Sequence, residues 1–203
     1  MRKIQFQIPF VLLNGILCLA ITGCIEKVEN KLSQNIEADY EFERSMITYD
    51  LGDGVTEEVE LYIDKMNDTI GNQVFAYKEK ILDSSRSLFY DLKLNRVENS
   101  NEYDGIITYY FNSNREGNLI DFNFVIISKT DEKTVFLDFT SAENENQIKF
   151  KYFSIDDTII GHIHARHAMD TIVDGEDRIR FREIFISVDN YSKTNNPFTK
   201  GLR

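Results

Sequence analysis

With 203 residues, 42% of them hydrophobic and 28% charged, the chain has the size and composition of one globular domain plus a targeting segment. Ten glycines and only two prolines leave little room for a long disordered region, and a formal net charge of −11 argues against a surface for nucleic acid or anionic lipid, both of which demand clustered Lys and Arg.

The first predicted element is an export segment. Arg2 and Lys3 precede the apolar run "FQIPFVLLNGILCLAITG", which ends at Gly23, and no Asp or Glu occurs before Glu26. A membrane-spanning helix needs about 20 mostly apolar residues, whereas this run is shorter and is interrupted by Gln7, Pro9, Asn14 and Gly15. A cleaved signal fits better. It closes on Ile21-Thr22-Gly23-Cys24, which resembles the lipobox of bacterial lipoproteins, with Ile21 where Leu is usual. The resemblance covers the first 24 residues. It implies cleavage between Gly23 and Cys24, a covalent diacylglycerol on the Cys24 thiol, and a cell-membrane protein held by lipid on the extracytoplasmic face. Two acyl chains, at about 0.8 kcal/mol per buried methylene, anchor stably where one is marginal.

On that reading Cys18 leaves with the signal and Cys24 is consumed, so no thiol remains for a disulfide, a metal or catalysis. Loss of Arg2 and Lys3 takes the 23 basic residues to 21 against 34 acidic ones, a net charge of −13. The expected organisation is a signal over 1–23, the acylated Cys and a tether over 24–44, one domain over 45–192 and a frayed, solvent-exposed tail over 193–203. Ile25, Val28, Leu32 and Ile36 share a helical stripe in the tether, which reads equally as a flexible segment or a short amphipathic helix.

Within the domain, Ile47, Tyr49 and Leu51 alternate as a strand and run into a turn at Gly52-Asp53-Gly54. Residues 55–66 fit either a helix (Val55, Val59, Tyr62, Ile63, Met66) or a strand (Val59, Leu61, Ile63), with the balance toward helix. From Gln73 to Leu94, the pairs Val74-Phe75, Ile81-Leu82 and Leu88-Phe89 recur about seven residues apart, predicting one long amphipathic helix. After Asn95 the period becomes two. Residues 105–111, 119–128, 134–140 and 147–155 read as four consecutive strands separated by short polar connections. Asp174-Gly175-Glu176-Asp177 forms a turn into a strand whose apolar phase slips between Phe181 and Ile184, predicting a bulge near Arg182 and Glu183. The expected fold is α+β, with an amphipathic helix packed on a mainly antiparallel meander of about five to seven strands.

Two clusters invite chemistry. All three histidines, His162, His164 and His167, lie within "GHIHARHAMD". On a strand the first two project from one face and His167 reaches them only across a bend, so a zinc-type site would add a carboxylate from Asp156, Asp157 or Asp170. The spacing resembles the first ligand motif of the metallo-β-lactamases, but Arg166 replaces its Asp and no further histidine exists, which sets that family aside. Arg178, Arg180 and Arg182 alternate along one strand face, suited to a carboxylate or phosphate of a partner or to neutralisation by acids on the next strand. No catalytic residue is assigned. The expected function is a lipid-anchored envelope protein with a non-catalytic domain that binds a protein, peptide or cell-wall ligand and no nucleic acid. The alternative is a zinc-binding envelope protein or metal-dependent hydrolase built on the three histidines.

Overall fold

The computed structural model describes residues 40–129, 133–155 and 158–202. The export signal, Gly23 and Cys24 of the lipobox, the proposed tether up to residue 39, Asp156 and Asp157 lie outside the described residues.

In chain order the elements are β1 (Phe42–Gly52), β2 (Val55–Asp64), β3 (Thr69–Lys78), β4 (Ile81–Leu82), β5 (Phe89–Arg96), β6 (Glu102–Tyr110), α1 (Ser113–Glu116), β7 (Asn118–Lys129), β8 (Thr134–Thr140), β9 (Gln147–Phe153), β10 (Ile160–Val173), β11 (Glu176–Asp189), β12 (Lys193–Thr194) and α2 (Pro197–Lys200). They build three antiparallel sheets, ordered β12-β1-β2-β3-β4, β11-β10-β7-β8 and β5-β6-β9.

The expected α+β fold is therefore corrected to an all-β one: among the described residues the only helices are two single turns, α1 and α2. Residues 73–94 are not a helix. They complete β3, reverse through Glu79 and Lys80 into β4, and enter β5 after a bridge between Val74 and Leu88. Residues 55–64 are a strand as well, and its buried side is Glu60 and Tyr62 rather than Val59, Leu61 and Ile63. The four strands read after Asn95 do form, as β6 to β9.

The β5-β6-β9 sheet packs on the β11-β10-β7-β8 sheet as a sandwich. Ile107, Tyr109, Ile148 and Phe150 from one side meet Phe122, Phe124, Ile126, Ile163 and Ile186 from the other. The Phe124 and Phe150 rings cross edge to face at 4.9 Å. Burying each such side chain stabilises by about 1.5–3 kcal/mol. Phe150 lies flat over its cross-strand partner Gly105, where a Cβ would come within 2.1 Å of the ring, so a glycine is required there.

The tail beyond residue 192 is not frayed. Pro197 starts α2 at the position that lacks a helical N–H partner, and the Asn196 carbonyl caps it by accepting from the Phe198 N–H at 3.0 Å. The Asn196 amide donates to Gly161 O at 3.0 Å and Thr199 Oγ1 to Ser187 Oγ at 2.8 Å, both fully buried. Those bonds tie the end of the chain to β10 and β11.

Candidate functional site

β10 runs 14 residues without a break, which sets the faces on which the three histidines stand. Alternation sends His162 and His164 to the outer face and His167 to the core face. His164 stacks on Phe185, its cross-strand partner, at 4.4 Å with planes 5° apart, and its Nε2 lies 3.7 Å from a Glu183 oxygen. The His162 ring lies 4.3 Å from Phe198 of α2. Burial first, and then the neighbouring His164, hold the His162 imidazole below its ordinary pKa against the pull of Asp138. His167 is fully buried, with Nε2 3.1 Å from the Tyr109 hydroxyl and its ring 4.8 Å from Phe111. Burial lowers its pKa too, with the Gly117 backbone opposing and the Arg182 charge adding to the effect.

The structure thus sets His167 apart from His162 and His164, which share the outer face. Asp170 shares the outer face with His162 and His164 but sits six residues past His164, roughly 20 Å along the strand at 3.3 Å per residue. Among the described residues no group of three His, Cys, Asp or Glu side chains is placed to hold a metal.

Arg178, Arg180 and Arg182 follow on from Ile184, Ile186 and Val188 on the core-facing side of β11, beyond the end of the core itself. The expected bulge near Arg182 and Glu183 is absent, because β10 and β11 pair without a register shift over their whole length. The phase slip has another cause. Residues 176–183 are exposed on both faces, so no core selects which side is apolar. Opposite the arginines on β10 stand Thr171, Met169 and His167, none of them acidic. Arg182 Nη1 reaches Glu116 of α1 at 2.8 Å, a carboxylate only 3% exposed. Arg178 bonds Glu176 at 3.0 Å in open solvent, where such a pair stabilises by at most about 1 kcal/mol. Arg180 has neither an ion pair nor a side-chain hydrogen bond among the described residues.

Past Ala168, paired with Asn118, no described strand but β11 lies beside β10, so residues 169–173 and 176–181 project as a two-stranded arm. Its outer face carries Ile172, Ile179 and Phe181, which are 73%, 62% and 70% exposed. The tip is a two-residue turn with φ of 55° at Asp174 and 80° at Gly175, the type I′ geometry favoured by Asp-Gly. That turn fixes the hydrogen-bond phase. Val173 and Glu176 form the first bonded pair, so Glu176, Arg178, Arg180 and Arg182 bond inward to β10, while the N–H and C=O groups of Asp177, Ile179, Phe181 and Glu183 point away from it. β11 is the edge of its sheet, and no described strand takes those outward groups.

A second constellation escaped the sequence reading. A bulge in β3 sets Asn72 and Gln73 together against Glu60, and both amides donate to Glu60 Oε2, at 2.7 and 2.8 Å. Arg44 Nε donates to Oε1 at 2.9 Å, and its Nη1 donates to Asp189 O at 2.9 Å. Burial opposes the Arg44 charge, but attraction and hydrogen bonding from Glu60 outweigh it and raise the pKa. Asp189 accepts from Tyr62 OH at 2.5 Å, Thr194 Oγ1 at 2.6 Å and Asn196 Nδ2 at 3.0 Å. Burial raises its pKa against those bonds and Arg44. Both Glu60 oxygens are occupied and every named donor is satisfied, so the cluster joins the β1-to-β4 sheet to β11. The adjacent amides Asn72-Gln73 after Gly71 were its one sequence trace.

No family model, no curated protein and no solved structure matches the chain.

Proposed function

We propose that this chain is a lipid-anchored protein of the cell envelope whose β-sandwich domain is a non-catalytic binding module with the β10–β11 arm as its contact surface. The observation that carries the reading is the arm. An isolated two-stranded ribbon is marginally stable in water, yet this one bears Ile172, Ile179 and Phe181 on an uncovered face. None of those side chains belongs to the hydrophobic core of the described residues. An exposed apolar patch outside the core suits a partner. The anchor is supported by Ile21-Thr22-Gly23-Cys24 at the end of an export-type segment, and the non-catalytic reading by a polar interior spent on joining sheets.

In cells producing the full chain, a photo-crosslinking benzoylphenylalanine in place of Phe181 yields a discrete adduct. The same group in place of Ile81, which is 73% exposed on the separate β4 edge, does not. Equal adducts at both positions, or none at 181, reject the arm as the contact surface.

A further inference from the structure

Resting on the arm as the contact surface, we infer that its occupant is an extended, acidic polypeptide segment that adds as a strand to the free edge of β11, alternating Asp or Glu with apolar residues.

Three features of one edge converge. The outward N–H and C=O groups of Ile179 and Phe181 form a ladder template that strand addition satisfies. The side chains flanking that template alternate by face, arginines on one side and Ile179 and Phe181 on the other. An antiparallel strand whose acids oppose Arg178, Arg180 and Arg182 therefore places its intervening residues beside Ile179 and Phe181. Guanidinium–carboxylate pairing supplies charge complementarity that the rest of this acidic chain lacks, and Arg180 is free to make it.

The same chemistry disfavours the other occupants. In a second copy of the chain, any antiparallel pairing of β11 with itself that overlaps residues 178–182 in this hydrogen-bond phase sets at least one arginine directly against another. An anionic membrane meets Asp174, Glu176 and Asp177 at the tip of the arm, and Asp170 stands on the apolar face itself as the cross-strand partner of Ile179.

The test uses the full chain in detergent micelles and a fluorescein-labelled peptide, Glu-Val-Glu-Ile-Glu-Val-Glu, followed by anisotropy. Its counterpart Lys-Val-Lys-Ile-Lys-Val-Lys and a peptide of the acidic composition with its glutamates grouped serve as comparisons. The acidic alternating peptide binds saturably, and the other two bind at least about tenfold more weakly. Arg180→Glu weakens it by about tenfold or more, with salt acting in the same direction. Ile179→Pro removes an outward N–H without taking a bond from β10, and also weakens binding by about tenfold while every arginine remains. Matched melting curves identify variants that keep the fold, and Arg180→Glu alone suffices should the proline disturb the arm. Equal binding of the three peptides, no saturable binding up to about 1 mM, or indifference to Arg180→Glu overturns the inference. So does arm-dependent binding to phosphatidylglycerol vesicles without peptide binding, or a dimer that Ile179→Pro dissolves. A crosslink at position 181 that persists alongside any of these results leaves the contact surface standing and removes only the acidic strand.

Discussion

Glu60 shows how one residue in this chain serves a whole interface. Its carboxylate is buried, yet it accepts from Arg44, Asn72 and Gln73, and Arg44 continues to the backbone of β11. Removing one partner of such a cluster leaves the others desolvated and unpaired, which destabilises by about 3–5 kcal/mol. Glu60→Ala is accordingly expected to lower the unfolding free energy measured in urea by an amount in that range, and Glu60→Gln, which keeps one acceptor and the volume, by clearly less. Equal losses in the two variants would show that the retained acceptor and volume contribute nothing and that the joint depends on the charge alone. The same residue explains why this joint was illegible in the sequence. Glu58 and Glu60 alternate with Val59 and Leu61, and the ordinary assumption that the acidic stripe faces water puts the wrong side inward. Only the β3 bulge, whose one sequence trace is the adjacent amides Asn72-Gln73 after Gly71, reveals that the acid has three donors waiting.

The turn between β3 and β4 makes the corresponding point for an element. Glu79 and Lys80 have φ of 52° and 67°, the left-handed conformation that type I′ hairpins demand and that Asn-Gly or Asp-Gly normally supplies. Because the turn is written Lys-Glu-Lys, residues 73–94 show no break, and the seven-residue recurrence of apolar pairs passes for a helix. The recurrence marks no common face: Phe89 is buried, whereas Ile81 and Leu82 are exposed on β4. By contrast, Gly52-Asp53-Gly54 and Asp174-Gly175 carry the residues their turns need, and both were legible. So was β8 to the residue, where polar connections bound a plain alternation. A non-glycine residue in left-handed geometry costs about 1–2 kcal/mol, so Lys80→Gly, at an exposed position, is expected to stabilise the protein by about 0.5–1 kcal/mol after the added freedom of the unfolded chain is counted. Denaturant unfolding checks this, and a loss of stability would mean that the Lys80 side chain contributes packing absent from the structure.

At the scale of the molecule, charge and attachment oppose one another. The whole chain carries −11 and its one concentrated basic stretch lies on the β11 edge, with acids crowding the adjoining tip, so the surface offers an anionic bilayer little attraction. Nor is any described helix long and apolar enough to cross a membrane. Retention on a membrane, under the proposed anchoring, then depends on the lipid at Cys24 alone. Each buried methylene of an acyl chain contributes about 0.8 kcal/mol, and two chains exceed anything a repelled protein surface can add or subtract. The dependence should be all or none rather than graded. Cys24→Ala is expected to abolish incorporation of an alkyne-palmitate label and to move the full chain out of the acylated membrane pool together, with no intermediate population held by the domain. High salt, which weakens surface electrostatics, should leave the wild-type distribution unchanged. Labelling that survives in Cys24→Ala contradicts the lipobox reading. Salt-sensitive retention of the wild type contradicts the weaker premise, that the domain itself has no affinity for the bilayer, and would return the basic edge of β11 to consideration as a lipid contact.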